Sequence, residues 1–220
     1  MLLSLKPDLV LAAGITNQAF IKRMRQLNLT VWLLDPQNLD ETIDALRQLG
    51  RHLALEEKAE TVAQQIQTTQ KIIRTRVSQL TAPLPQVLFF LDPSLNYCAG
   101  DETHINTLIE AAGGHNAGNS INIPWPKLSQ ESIAKINPDI LLICSSSTGP
   151  LHDQKLLENL RKNPIWRQLK AVKTSRVHAV DRELFTVPGI RMEQALVELF
   201  ELLHTTRIPS KSSAKIAEGE

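Results

Sequence analysis

One short motif occurs twice in this chain: a proline, an aspartate and an uninterrupted run of apolar residues. The first copy is Pro7-Asp8-Leu9-Val10-Leu11-Ala12, and the second is Pro138-Asp139-Ile140-Leu141-Leu142-Ile143. Proline ends the element before it, and a continuous apolar run is typical of a strand buried on both faces of a parallel sheet. The repeat therefore predicts two α/β units.

A long segment with helical periodicity separates the two copies. Residues 54–80 include neither glycine nor proline, and their apolar side chains recur at helical spacing. Glutamates precede lysine and arginine along the segment, which is the charge order that a helix dipole favours. One helix of this length would be roughly 40 Å long, more than one small domain needs. We interpret residues 54–82 as a bridging helix between a first lobe (residues 1–53) and a second lobe (residues 83–204).

Strand and helix patterns alternate in both lobes, which predicts parallel sheets. The first lobe has only two strand patterns and the second has at least three, so we expect the first lobe to be incomplete and to leave apolar faces uncovered. The polar residues 205–220 are predicted to form a disordered tail. The predicted strands are residues 8–13, 30–34, 86–91, 139–144 and 176–180, and the other predicted helices are residues 17–26, 39–48, 104–112, 129–136, 153–160 and 189–204.

Composition and motifs argue against several classes of protein. The formal net charge of +1 gives no electrostatic reason to expect nucleic-acid binding. No apolar stretch approaches the roughly 18 residues of a membrane span, and the first residues lack the order of a secretory signal peptide. Phosphate-binding, zinc-protease and hydrolase-nucleophile motifs are missing, so we expect no catalytic site. Cys98 and Cys144 are interpreted as buried free thiols.

The second half of the chain resembles a known family most closely. The similar segments include Gly100-Asp101-Glu102-Thr103, Leu108-Ile109-Glu110-Ala111-Ala112-Gly113-Gly114-His115-Asn116 and Ile123-Pro124-Trp125-Pro126-Lys127-Leu128-Ser129-Gln130-Glu131. With the repeated motif and the bridging helix, they resemble the class III substrate-binding proteins of ABC importers. The resemblance implies an α/β fold of two Rossmann-like lobes with mostly parallel sheets, bridged by one long helix.

This resemblance also implies a function and a location. The Pro-Trp-Pro segment followed by Ser-x-Glu is most similar to cobalamin-binding members. The resemblance therefore implies a solute-binding component of an ABC importer that captures cobalamin or a related corrinoid between its two lobes and delivers it to the permease, with a ferric siderophore or haem as the alternative ligand. No cofactor of its own is expected. The implied partner is the transmembrane permease of the importer, and the expected location is the periplasm or the cell surface, with the protein acting as a monomer.

Four residues are candidates for ligand binding. Trp125 and Tyr97 match aromatic cleft positions of the family, and large amphipathic rings suit flat, partly apolar ligands; ordinary packing is the alternative for both. Asp181 and Phe185 are expected on the loop after the last strand, at the sheet edge where ligands bind in open parallel sheets. The alternative for Asp181 is a helix cap.

Other positions are interpreted through the same resemblance. Glu131 matches the family glutamate that pairs with arginines of the permease, and an unpartnered glutamate in a first helical turn is the alternative. Arg191 is expected to be structural. Ala13 lies where the cobalamin-binding member has a tryptophan. The chain is also expected to lack the first strand, helix and strand of the family pattern. A cluster of Cys98, Asp101, Glu102 and His104 permits a metal hypothesis, although capping of the following helix is favoured.

Two hypotheses from other classes stay open. One is a two-domain α/β enzyme or cofactor chaperone, because such lobes host many functions. The other is a truncated product with no ligand function. Turnover of a substrate would favour the first. Ligand binding that is restored by adding the missing upstream segment would favour a truncated reading frame over a product with no function.

Overall fold

The computed structural model describes residues 3–13, 17–120 and 123–204. In the first lobe, β1 (Val10–Ala13) and β2 (Val31–Leu34) form a parallel two-stranded sheet in which Val10 lies opposite Val31. Two helices follow these strands, α1 (Gln18–Gln26) and α2 (Leu39–His52). The α2 helix is one turn longer than predicted. Asn38 caps its start by accepting a hydrogen bond from the N–H of Glu41 at 2.8 Å.

The bridging helix is α3 (Glu56–Ser78). It is shorter at both ends than the predicted segment of residues 54–82. The division of the chain into two lobes at this segment stays a prediction. One face of α3 is buried through Ala59, Ala63, Ile66 and Ile73. The helix packs against α2, where the Arg47 guanidinium bonds both carboxylate oxygens of Glu60 at 2.8 and 3.0 Å.

The sheet of the second lobe has four strands, which are β3 (Gln86–Phe90), β4 (His115–Asn116), β5 (Ile140–Ser145) and β6 (Val177–Asp181). Their order in the sheet is β4-β3-β5-β6, and every neighbouring pair is parallel. The α/β fold with parallel sheets is therefore confirmed. The short strand β4 was not predicted, because its two polar residues carry no apolar pattern.

Six helices of the described chain surround this second sheet. They are α4 (His104–Ala111), α5 (Gln130–Ile136), α6 (Pro150–Lys162), α7 (Lys170–Lys173), α8 (Arg182–Thr186) and α9 (Met192–His204). Two short ones, α7 and α8, were not predicted, and α6 begins three residues before its predicted start, with Pro150 in the first helical position. The α9 helix also packs against α3, so it joins the bridging helix to the second lobe.

Alternate side chains of the central strands enter two separate cores. Phe89 and Leu142 belong to one core, and Phe90 and Leu141 belong to the other. This alternation follows from the two-residue period of a strand. The first core also contains Ile43 of α2 and residues of α3 and α9, so it extends from the first lobe to the second.

Some apolar surface of the first lobe is exposed. All four residues of β2 are only partly buried. Among the described residues of this lobe, large apolar side chains are exposed at Leu5, Leu11, Phe20, Leu27 and Leu53. The predicted tail of residues 205–220 lies outside the described residues. Within the described ranges, no helix combines the length and the apolar character that crossing a membrane requires.

Candidate functional site

The candidate ligand site lies at the carboxyl edge of the second sheet. Because all four strands are parallel, the segments that follow them meet at this edge, which is where ligands bind in open α/β sheets. Residues 91–99, which follow β3, fold back against β3 itself. The N–H of Leu91 bonds the carbonyl of Tyr97 at 3.0 Å, and the N–H of Ala99 bonds the carbonyl of Phe89 at 2.9 Å.

A second segment, residues 124–127, pairs with this one in antiparallel orientation. The N–H of Cys98 bonds the carbonyl of Pro126 at 3.1 Å, and the N–H of Gly100 bonds the carbonyl of Pro124 at 2.9 Å. Tyr97 lies opposite Lys127, so the same register places Ala99 opposite Trp125. The approach at Gly100 is close, because a Cβ there would lie 2.3 Å from the carbonyl oxygen of Ile123. A glycine is needed at this crossing.

Tyr97, Trp125 and Lys127 share one face of this antiparallel pair, because side chains alternate between the two faces of a strand. Tyr97 is 47% exposed and Trp125 is 40% exposed, whereas Cys98 and Pro126, on the other face, are buried. Diagonal neighbours across two such strands lie about 7–8 Å apart, within reach of aromatic rings. We call the surface of Tyr97, Trp125 and Lys127 the aromatic face.

A network of largely buried asparagines contacts the backbone of Ala99, the residue opposite Trp125. The side-chain amide of Asn116 donates to the carbonyl of Ala99 at 3.1 Å and to Oδ1 of Asn119 at 2.9 Å. The amide of Asn119 donates to Oδ1 of Asn106 at 2.8 Å. The network joins β4 and α4 to the residue opposite Trp125. Sequence reasoning missed it, although three asparagines among apolar and glycine residues were a usable signal.

Exposed apolar side chains in the second lobe concentrate at this edge. In the described part of residues 83–204, four of the six exposed large apolar side chains lie in segments that follow β3, β4 and β5 or in the first turn of the next helix, and the other two follow α8. Leu151, at the start of α6, is 78% exposed. The complete set is Tyr97, Ile123, Trp125, Leu151, Val187 and Ile190. Such a concentration is typical of a ligand or partner surface.

The structure corrects the expectation for Phe185. The segment after β6 is not a loop, because α8 begins immediately after Asp181. Phe185 lies in α8 and is fully buried, with its ring centroid 5.6 Å from that of Phe89. The ring therefore belongs to the core, and an apolar side chain in a short helix next to a sheet is more favourable there than at the surface. Phe185 is removed from the candidate ligand residues.

Asp181 lies at the carboxyl edge and is exposed. Its Oδ1 accepts a hydrogen bond from the N–H of Leu184 at 2.9 Å, so Asp181 caps α8. The capping alternative is confirmed, while a contact of the same carboxylate with a ligand stays a prediction. Arg191 donates to the carbonyl of Glu183 at 3.3 Å, a contact that fits its expected structural role.

The proposed metal cluster does not form a coordination site. Thr103 caps α4, and Nε2 of His104 lies 2.8 Å from the carbonyl of Phe185. Burial raises the pKa of Cys98 to about 11, which keeps its thiol protonated and a poor metal ligand. Within the described residues, no three His, Cys, Asp or Glu side chains are grouped to hold a metal ion.

Polar side chains join the start of α6 to the end of β5 and to the middle of β6. Ser145 Oγ lies 3.1 Å from Nε2 of His152. Asp153 accepts from the N–H of Ala179 at 2.7 Å and lies 3.1 Å from Nδ1 of His178. These contacts hold the exposed Leu151 at the carboxyl edge, next to the segment that carries the serine hydroxyls.

Glu131 lies in the first turn of α5 and is exposed. Its pKa is lowered by a hydrogen bond from its own backbone N–H and by one from the Ser129 side chain. Ser129 is the cap of α5, because its Oγ accepts from the N–H of Ser132 at 3.1 Å. The carboxylate is therefore held in its charged form on the surface of the second lobe.

The two lobes meet beside this site. Oγ1 of Thr107, on α4, donates to the carbonyl of Gln37 at 2.7 Å. A cavity of about 110 Å³ lies between α2 and residues 188–190, which is smaller than the roughly 300–1,000 Å³ of most ligand sites. The aromatic face is outside this cavity. Ala13 ends β1, and its side chain lies outside the described part of the chain.

Comparison with known proteins gives a consistent result. Residues 1–184 match the family model described as periplasmic binding protein. An uncharacterized ABC transporter substrate-binding lipoprotein, YvrC of Bacillus subtilis (strain 168), is 27% identical over 209 residues, which cover 92% of this chain and 63% of that protein. A cobalamin-binding protein of Halobacterium salinarum is 26% identical over 207 residues, which cover 93% of this chain and 55% of that protein.

Solved structures share the fold. The apo form of the periplasmic haem-binding protein RhuT from Roseiflexus sp. RS-1 superposes with a TM-score of 0.77 and 26% sequence identity, over 92% of this chain and 77% of that one. The chain spans less than two thirds of the two curated proteins described above.

Proposed function

Because this chain belongs to the periplasmic binding protein family, we propose that it is the solute-binding component of an ABC importer. In this proposal the second lobe binds a large, flat metal chelate on its aromatic face and presents it to a permease. Binding of this kind needs no chemistry from the protein, only surfaces of the right shape and polarity.

The distribution of exposed apolar side chains is the observation that carries the proposal. Four of the six in the described part of the second lobe lie in segments that follow β3, β4 and β5 or in the first turn of the next helix, and two of these four are the rings of Tyr97 and Trp125. A flat ring system with an apolar surface would cover such a face, and large aromatic side chains offer wide contact areas to such ligands. Hydroxyl groups of the segment after β5 would supply hydrogen bonds at its rim.

Cobalamin or a related corrinoid is the proposed ligand, with haem or a ferric siderophore as the alternative. Support for the corrinoid comes from the Pro124-Trp125-Pro126 segment and from the similarity to a cobalamin-binding protein. The similarity to a haem-binding structure supports haem equally well. Both ligands are planar macrocycles that carry a metal, so the aromatic face fits either.

Glu131 is the proposed contact with the permease. Its carboxylate is exposed and charged at the start of α5, so an arginine of a partner can reach it. Charge-assisted pairs of this kind fix the orientation of a complex more than they add affinity. A receptor of this type would act in the periplasm or at the cell surface, which is the proposed location.

Co-elution of ligand and protein tests the proposal. The purified chain would be mixed with hydroxocobalamin, haemin or a ferric hydroxamate and passed through a desalting column, and absorbance would be read in the protein peak. We expect stoichiometric co-elution of one macrocycle, and its loss in a Tyr97→Ser/Trp125→Ser double variant. Ile72→Ser, which changes an exposed residue of α3, is the control and should still bind. A folded wild-type protein that retains none of the three ligands would refute the proposal.

A further inference from the structure

Lys127 is the charged member of the aromatic face. It lies directly opposite Tyr97 in the antiparallel pair, and Trp125 precedes it by two residues on the same side. Its side chain is exposed, like those of its two aromatic neighbours. A ligand that covers both rings must therefore pass next to an ammonium group.

Among the described residues, the ion pairs are Arg47 with Glu60, Lys170 with Asp139, and His178 with Asp153, and Lys127 takes part in none of them. Two carboxylates at the carboxyl edge form hydrogen bonds with backbone N–H groups close to them in sequence. Asp92 accepts from the N–H of Ser94 at 2.7 Å, and Asp181 accepts from the N–H of Leu184 at 2.9 Å.

We propose that Lys127 binds an acidic group, a carboxylate or a phosphate, on the rim of the ligand that covers Tyr97 and Trp125. The aromatic face then selects a flat ring that carries an acid at its edge, and disfavours the same ring when that acid is missing. An ammonium pairs with either acid as a point charge with three donors, without the fixed geometry that an arginine would impose. This inference rests on the proposed function and narrows its ligand class.

Acid and acid-free versions of the same ring separate this inference from simple stacking. Haemin carries two carboxylates, and its dimethyl ester carries none. Hydroxocobalamin carries a phosphodiester, and diaquocobinamide lacks it. Each pair would be titrated in one water–dimethyl sulfoxide mixture into the wild-type chain, Lys127→Met and Lys127→Arg. Lys135→Met, an exposed lysine at the other end of α5, is the matched control.

We expect the wild-type chain to bind the acid member of one pair about three- to tenfold more tightly than its acid-free partner, as for a partly desolvated charge pair. Lys127→Met should abolish this preference by weakening only the acid member, while Lys127→Arg and Lys135→Met retain it. Added salt should reduce the preference of the wild type.

The possible failures can be told apart. If the wild type binds both members equally in every pair that it binds, or if Lys127→Met weakens both members of the preferred pair equally, the role of Lys127 is overturned and the proposed receptor function stays intact. Binding of neither pair overturns the inference together with the proposal that a macrocycle is the ligand. The pair that shows the preference identifies the acid as a carboxylate or a phosphate.

Discussion

Nε2 of His104 lies 2.8 Å from the carbonyl oxygen of Phe185, so the first residue of α4 is joined through the core to α8. Both helices begin at the carboxyl edge of the second sheet, after β3 and β6 respectively. The contact explains why a histidine is tolerated at a buried position: its ring N–H donates to a carbonyl that has lost its helical partner.

Acidification should destabilise the protein through His104. Burial lowers the pKa of His104 below its ordinary value, more strongly than the Phe185 carbonyl and Asp35 raise it. The unfolded chain then binds more protons than the folded one, so the stabilising contribution is complete above a pH of about 6.5 and decreases below it. Urea unfolding at pH values near 7.5 and 5.5 should show a smaller loss of stability in His104→Gln than in the wild type. His115→Gln, at an exposed position, should behave like the wild type, and identical losses in all three proteins would contradict this assignment.

Trp125→Ala should weaken binding of the ligand about three- to tenfold, because the indole is the larger of the two exposed rings on the aromatic face. The melting temperature should change little, since the side chain is 40% exposed. Isothermal titration and thermal unfolding of the same preparation measure both effects. Ile72→Ala, an exposed apolar residue on α3, is the control. Unchanged affinity would remove Trp125 from the site.

Glu131→Arg should abolish ligand uptake in a complemented strain and leave ligand binding by the purified protein unchanged. The substitution places a positive charge where the proposed permease contact needs a negative one. Glu110→Arg is matched in charge and exposure but lies near the other end of the lobe, at the end of α4, so it should support uptake. If Glu131→Arg loses ligand binding instead, the docking role is wrong.

Asp139→Asn should lower the free energy of unfolding by about 1–2 kcal/mol at neutral pH. Oδ2 of Asp139 accepts from the N–H of Gln86 at 2.8 Å, and Oδ1 lies 2.5 Å from Nζ of the largely exposed Lys170. Burial raises the pKa of Asp139, but these two groups outweigh it and the net pKa is lowered. The advantage of the wild type should therefore disappear as the pH falls through this lowered pKa.

The repeated motif supplies the control for that experiment. Asp8, the counterpart of Asp139 in the first lobe, is exposed. Guanidinium unfolding of Asp8→Asn should give nearly the wild-type stability. Equal losses for the two variants would show that the carboxylate acts through the local chain alone and not by joining β5 to β3.

Both cysteines should be unreactive in the folded protein. Cys98 and Cys144 are fully buried, and burial raises their thiol pKa values to about 11 and about 12. The thiolate is the reacting species, so a disulfide reagent near pH 8 should label neither residue within minutes. In concentrated guanidinium chloride both should react. Rapid labelling of the native protein would indicate local opening of the second sheet.

Strong apolar patterns predicted most of the fold. The runs that became β3, β5 and β6 are long enough to be recognised, and α3 was recognised from its periodicity. The short elements were not. Two polar residues form β4 only because β3 offers a parallel edge, and α8 has only five residues, fewer than a periodic pattern needs. Tertiary contacts decide such elements.

The candidate ligand site stays a prediction, and the structure shows only where its residues lie. Sequence similarity singled out Tyr97 and Trp125, and the structure places both on one exposed face. Their common register depends on two hydrogen bonds between segments more than twenty residues apart, which no local pattern encodes. Phe185 was misplaced because the local sequence does not distinguish a phenylalanine that contacts a ligand from one that is buried in a core.

The prolines on either side of Trp125 have a consequence for the cost of binding. Pro124 and Pro126 each have a fixed φ angle, and a residue that precedes a proline is confined to extended backbone. The segment therefore has few conformations to lose when a ligand arrives, so little conformational entropy opposes association. In the proposed receptor, this part of the binding surface is already ordered before the ligand arrives.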